Sequence, residues 1–243
     1  MKRFEALFGI KEKEVKKTCI LLPSAQKGIL AEFRVKNTEW GRLYASAKGE
    51  GFTVIHTGMG AGFTADAVLY LKETPCRNII LFGSCGLVRE KEKLSLGSLV
   101  TPFRSYAYES FSSLLLGKGE RTQIFSAHQG LLEDFLKVNY DEEITRVTCA
   151  TLCSLKLEEE MQDTFRLKNI EVLDMECSAV YCAAGFSGLK AIAIFYISDI
   201  VDKMPFYSDP EPALKSALSL AQRRAVRILC KFIKENLGGQ DLS

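Results

Sequence analysis

The chain has only two histidines, His56 and His128, and no Cys-x-x-Cys spacing. Zinc sites draw four nitrogen or sulfur donors from such clusters, so no metal is expected. Charge of one sign is lacking too, since 32 basic and 30 acidic residues leave a formal net charge of +2. Nucleic acids and anionic membranes attract proteins with an excess of positive charge, and neither is an expected partner. No apolar run reaches the roughly 20 residues needed to span a bilayer. The start, Met1-Lys2-Arg3-Phe4, opens no continuous apolar leader. Cysteine is present, but not as a disulfide framework. Cys19, Cys85, Cys149, Cys177, Cys182 and Cys230 lie in or beside apolar stretches, where a free thiol behaves as a small hydrophobe. A cytoplasmic location is expected.

The composition suits a folded α/β protein: 47% of the 243 residues are hydrophobic, enough for one sizeable domain over residues 1–243. The Lys/Glu mixture at 11–17 reads as a solvated helical face. Short apolar runs recur and stop at turn residues. Thr18-Cys19-Ile20-Leu21-Leu22 meets Pro23-Ser24. Thr53-Val54-Ile55-His56-Thr57 meets Gly58-Met59-Gly60, and Asn78-Ile79-Ile80-Leu81-Phe82 meets Gly83-Ser84-Cys85-Gly86. Gly97-Ser98-Leu99-Val100-Thr101 meets Pro102, and later runs cover 146–149, 170–173 and 191–197. These are strand-length and rich in β-branched residues. Helical spacing is expected over 65–72, 129–138, 157–167 and 175–186. A last helix begins at Asp209-Pro210, repeats Leu214, Leu218, Ala221, Ala225, Leu229 and Phe232, and stops at Gly238. Alternating strands and helices imply a mostly parallel sheet covered on both faces.

Ligands of such sheets bind at the carboxyl ends of strands. Here those ends carry glycine turns and two acids placed where charge is costly. The turn Gly58-x-Gly60-x-Gly62 lets backbone N–H groups approach an anion or a sugar before a helix N-terminus, or is simply a tight turn. The turn Gly83-Ser84-Cys85-Gly86 can lay a flat ring against backbone, with Ser84 offering a hydroxyl. Cys85 has no neighbouring histidine in sequence to make it a thiolate. In Asp174-Met175-Glu176, Asp174 suits an N-cap. Glu176 can accept from two vicinal hydroxyls, with Met175 as an apolar floor. Ser198-Asp199 ends an apolar strand. It reads as a cap or as a partly desolvated carboxyl able to donate a proton. His56, mid-strand, reads as a core residue.

In this order, Thr57-Gly58-Met59-Gly60, Gly83-Ser84-Cys85-Gly86-Leu87, Leu96-Gly97-Ser98-Leu99-Val100, Asp174-Met175-Glu176 and Ser198-Asp199 resemble the nucleoside phosphorylase/nucleosidase family. That family includes purine nucleoside phosphorylase, uridine phosphorylase and methylthioadenosine/S-adenosylhomocysteine nucleosidase, and the resemblance runs from about Thr18 to Leu237. It implies a three-layer α/β/α sandwich with a central mixed, largely parallel sheet, assembled as a homo-oligomer (dimer or hexamer). It implies cleavage of a nucleoside N-glycosidic bond without a cofactor. Met175 and Glu176 match the ribose-binding pair. Ser84, Cys85, Gly86, Ser198 and Gly58 match the base and phosphate pocket. Asp199 matches the acid at purine N7, which uridine-specific relatives are expected to lack. Tyr108-Glu109-Ser110 falls where relatives carry a polar loop over the sugar.

The attacking group is where the chain departs from the family. Phosphorylases carry a glycine-and-arginine loop after the first strand, and here that place reads Pro23-Ser24-Ala25-Gln26-Lys27-Gly28. Their arginine two places before the Gly-Ser turn is Leu81, leaving Lys27, Arg34 and Arg104 as substitutes. The acidic run of nucleosidases is missing as well. Phosphorolysis of a purine nucleoside, with phosphate as co-substrate, is the expectation. Hydrolysis, or nucleoside binding with little turnover, are the alternatives.

Overall fold

The computed structural model describes residues 3–24, 27–35, 37–117 and 123–237. The strands are β1 (Thr18–Leu22), β2 (Thr38–Trp40), β3 (Ala45–Lys48), β4 (Phe52–His56), β5 (Asn78–Leu87), β6 (Leu99–Ala107), β7 (Gln123–Ser126), β8 (Ile144–Thr151), β9 (Val172–Asp174) and β10 (Lys190–Ile200). The helices are α1 (Arg3–Phe8), α2 (Lys27–Glu32), α3 (Ala61–Leu71), α4 (Phe111–Leu116), α5 (Gln129–Val138), α6 (Leu155–Glu160), α7 (Gln162–Leu167), α8 (Cys177–Ser187) and α9 (Pro212–Phe232).

One mixed sheet organises the chain. Its centre is parallel: β1 pairs with β4 and β5, and β5 pairs with β10 along almost its whole length. β6, β8 and β9 form a second parallel group. Antiparallel β9 joins that group to β5, and a short antiparallel pairing joins β6 to β10. β1 is buried at every position, as expected for a strand covered on both faces. β7, at the margin, alternates half-buried and exposed residues.

Helices cover the sheet in two groups. α8 packs on β6, β8 and β10 and against α3 and α4, whereas α9 packs on β10 and against α2 and α5. α8 is small and buried along nearly its whole length, with Ala179, Ala183 and Ala184 letting it lie close to the sheet. Gly188 ends it in the left-handed region at φ 70°, which suits glycine. α9 buries Ala221, Ala225, Val226, Ile228, Leu229 and Phe232 on one stripe. This is the α/β/α architecture with a central mixed sheet that the resemblance implies.

Several boundaries differ from the sequence expectation. β5 does not stop at Phe82. Gly83 to Gly86 stay extended because β10 runs alongside and supplies partners, so sheet pairing overrides a locally turn-like sequence. β10 likewise continues through Ser198-Asp199 to Ile200. β6 runs past Pro102, which sits at a register shift against β8, a position that tolerates a missing N–H. The helix expected over 157–167 is two helices broken at Met161. At 11–17 there is only a single 3-10 turn, Glu12–Glu14. The stop at Gly238 lies outside the described residues.

Candidate active site

A cavity of about 210 Å³ opens where β1, β5, β9 and β10 approach their carboxyl ends. Its wall includes Gly83, Ser84, Cys85 and Gly86 of β5, then Met175 and Glu176 after β9, and Ser198 and Asp199 of β10. Residues far apart in sequence thus meet in one place. Glu176 and Asp199, each 6% exposed, share the cavity.

Asp199 is aimed by a fault in the sheet. The β5–β10 ladder pairs Ile197 with Cys85 and Asp199 with Gly86, skipping Ser198. A bulge of this kind re-aims side chains beside a site. The Ser198 hydroxyl donates to Asp199 Oδ1 at 2.6 Å. Oδ2 lies over Gly86, where an added Cβ would sit 2.8 Å from it. Burial raises the Asp199 pKa above the ordinary carboxylate value, and the Ser198 hydrogen bond offsets part of that rise. The group can therefore hold a proton that it can give away.

Asp174 and Glu176 divide the work at the start of α8. Asp174 Oδ2 accepts from the backbone N–H of Glu176 (2.8 Å) and Cys177 (2.6 Å), and Oδ1 accepts from the Thr151 hydroxyl (2.6 Å). It is not the N-cap expected from the sequence: α8 starts after Glu176, which makes no side-chain cap bond, and Asp174, at the last position of β9, has its acceptors used by these internal donors. Glu176 Oε1 accepts the N–H of Gly60 at 2.6 Å. That bond ties the turn before α3 to the start of α8. Burial, and then the neighbouring Asp174, raise the Glu176 pKa.

Other expected residues play lesser parts. Gly58, at φ 77°, shapes the turn but is not part of the cavity wall; Met59 is, and Gly60 reaches Glu176. Cys85 is buried, and burial followed by the Asp199 charge pushes its thiol pKa well up, so it stays protonated. His56 is half-buried at the end of β4, edge-on to Trp40. Glu109 is buried and accepts from the Ser112 and Ser178 hydroxyls, which links α4 to α8. Cys149, Asp174 and Cys177 bring potential metal-ligating atoms within 4.8 Å of one another. Burial raises both thiols, and Asp174 is already taken up by its donors, so the trio reads as packed floor.

Of the cations expected to meet a phosphate, Arg104 donates to Thr148 and lies over Phe103, and Arg34 stands away from the cavity. Ala25, Gln26 and the Lys27 side chain lie outside the described residues. Among the described residues no lysine, arginine or histidine lines the cavity, whereas Glu158, Asp174, Glu176 and Asp199 do.

Glu158 is the residue that sequence reasoning missed. It lies in Leu157-Glu158-Glu159-Glu160, within the helix expected over 157–167, where nothing in the spacing singles it out from its acidic neighbours. It is nevertheless 6% exposed and turned into the cavity wall. Burial, and then the charge of Asp199, push its pKa up to about 8.

The model of the phosphorylase superfamily matches residues 18–234. No curated protein matches the chain. Among solved structures, uridine phosphorylase from Vibrio fischeri is similar at 19% identity and a TM-score of 0.77, covering 93% of this chain and 95% of its own. Purine nucleoside phosphorylase from Toxoplasma gondii, in complex with immucillin-H, follows at 18% and 0.72, covering 92% of each. The 5'-methylthioadenosine/S-adenosyl homocysteine nucleosidase of Campylobacter jejuni has 12% and 0.69, covering 90% of this chain and 99% of its own. Both phosphorylases and a nucleosidase thus share the fold, and the family match over most of its length places this chain in the phosphorylase superfamily.

Proposed function

We propose that this protein cleaves the N-glycosidic bond of a purine nucleoside, with Asp199 serving the departing base and Glu176 holding the ribose hydroxyls. The observation that carries the reading is the meeting of these two buried carboxyls in one cavity. Breaking C1′–N9 builds positive charge on the sugar and negative charge on the base. A protonated Asp199 relieves the base by giving its proton to N7. Purines offer that nitrogen and pyrimidines do not. Glu176, fixed by the Gly60 amide, pins the sugar. Met175 and the extended Gly83–Gly86 backbone give the flat base and sugar a surface to lie on.

The lining favours water over phosphate as the attacking group. A phosphate dianion would enter a wall that offers, among the described residues, no cation to balance its charge. Water carries no charge to be met. Phosphorolysis keeps one supporting feature, the glycine turn and α3 N-terminus beside the cavity.

Inosine, adenosine and methylthioadenosine incubated with and without phosphate decide between them. Free pentose in phosphate-free buffer is expected; pentose 1-phosphate formed only with phosphate would establish phosphorolysis instead. Asp199→Asn is expected to slow base release about 10²–10⁴-fold, the usual worth of a positioned acid. No base released from any purine nucleoside, or full activity in Asp199→Asn, would overturn the reading.

A further inference from the structure

A second hollow, of about 720 Å³, lies at the opposite edge of the sheet from Asp199. It sits between the end of α2, the start of β4 and the last turns of α9, whereas the Asp199 cavity opens at the carboxyl ends of the strands. Its volume falls in the range of small-molecule sites, roughly 300–1,000 Å³. Phe33, Phe52, Val226 and Ile233 form an apolar floor, all buried, with Phe33 edge-on to Phe52.

The rim is cationic. Arg34, Arg227, Lys231 and Lys234 stand around it with two acids, Glu32 and Glu50. Lys231 is taken by Asp141 at 3.1 Å, and Glu32 by Arg223 at 3.4 Å. Among the described residues Arg34, Arg227 and Lys234 are left facing Glu50 alone, and none of them pairs with a carboxylate. Lys231 and Lys234 also suit the C-terminal end of α9. Arg34 comes from the other side of the groove, and its backbone is unusual. It follows α2 in the left-handed region at φ 54°, and the Val35 N–H donates back to the Leu30 carbonyl at 3.3 Å. Glycine ordinarily takes this place, and an L side chain there is strained. The turn alone is better served by glycine; what arginine adds is a guanidinium over the groove. Burial raises the pKa of the half-buried Cys230 thiol, and the Arg34 charge offsets part of that rise, so guanidinium and thiol share the same hollow.

We propose that this groove binds a phosphomonoester carried on a flat apolar body, apart from the cavity of Asp199. Three such cations against one acid leave two positive charges, which match the dianion of a phosphomonoester. Arginine forks fit its oxygens, and the aromatic floor takes the body. The proposal does not depend on the nucleoside reading, since the two sites share no residue.

The test reads the place as well as the affinity. Flavin mononucleotide and phenyl phosphate serve as phosphomonoesters, riboflavin lacks the phosphate, and inorganic phosphate lacks the body. Each is titrated by calorimetry, and each is added during alkylation with iodoacetamide, the labelled cysteines being followed by peptide mass spectrometry. Cys230 lies in the groove, and the exposed Cys153 lies on the side of the Asp199 cavity, near Glu176. At least one phosphomonoester is expected to slow labelling of Cys230 and not of Cys153, with riboflavin and inorganic phosphate binding about tenfold or more weakly. Arg34→Gly and Arg227→Gln are each expected to weaken that binding about 10–100-fold, the worth of a charged hydrogen bond. Arg34→Gly relaxes the turn, so its thermal midpoint should not fall. Arg227→Gln repeats the reading from an exposed position of α9. Protection of Cys153 instead of Cys230, no protection of Cys230 by either phosphomonoester at millimolar concentration, equal protection by inorganic phosphate, or affinity unchanged in both variants overturns the proposal.

Discussion

Gly86 shows how a single missing side chain can make room for a buried carboxyl. Its Cβ position lies 2.8 Å from Asp199 Oδ2, closer than a carbon and a carboxylate oxygen can settle. Gly86→Ala should leave the strand intact, since its backbone is ordinary β, but must push the carboxyl off its line. Displacements of about 1 Å can cost roughly 10²-fold in rate. A loss of that order in base release, with a thermal midpoint close to wild type, is expected. Unchanged turnover would show that Asp199 acts from another position. The sequence placed Asp199 and Glu176 because their setting, a carboxylate against an apolar run, is abnormal in one dimension. Glu158 is abnormal only in three. Its neighbour Glu160 is exposed and Glu159 is half-buried against Tyr207, and one turn of helix decides which of three equal letters faces inward.

Elements rather than single residues hold the cavity open, and the β8–β9–α8 corner is the clearest case. The Thr151 hydroxyl donates to Asp174 Oδ1, accepts the Ser178 N–H at 2.8 Å and meets the Ser105 hydroxyl at 3.0 Å. Thr151→Val keeps the shape and leaves a buried amide and a buried carboxylate oxygen short of partners. Such losses cost about 1–3 kcal/mol. Urea unfolding should show a lower midpoint with an unchanged slope. A change within about 0.5 kcal/mol, the range of neutral surface substitutions, would argue that the corner is held by packing alone. At this scale the sequence shows elements whose partners are apolar. β1, β4 and α5 lie where the runs and spacing put them. It does not show β2, β3 and β7, which are three or four residues long and largely set by the strand they pair with. Nor does it show that Gly83 to Gly86 and Ser198-Asp199 are strand, because their extended form comes from each other.

For the whole molecule, the gathering of four acids in one cavity sets how stability depends on pH. The pKa values of Glu158, Asp174, Glu176 and Asp199 are all raised, burial being the first cause in each. A raised carboxyl pKa means that the native state binds more protons than the unfolded chain at pH values between the two pKa values. Stability therefore falls as pH climbs from the ordinary carboxylate range toward about 8, the value reached by Glu158. His56 works in the opposite sense, since burial lowers its pKa and stability rises as pH climbs from that lowered value to the ordinary one, but one imidazole stands against four carboxyls. Glu14 beside Lys48 and Asp141 beside Lys231 have lowered pKa values and lose their contribution as pH falls. Both pairs are at the surface, where salt screens them. In high salt the ligand-free protein should therefore melt at a steadily lower temperature from about pH 5 to about pH 8. Glu158→Gln should flatten that slope by removing one of the four titrations. A midpoint that rises over this window, or a slope indifferent to Glu158→Gln, would mean that the cavity acids are ionised in the folded protein. The proton assigned to Asp199 would then have no store to come from.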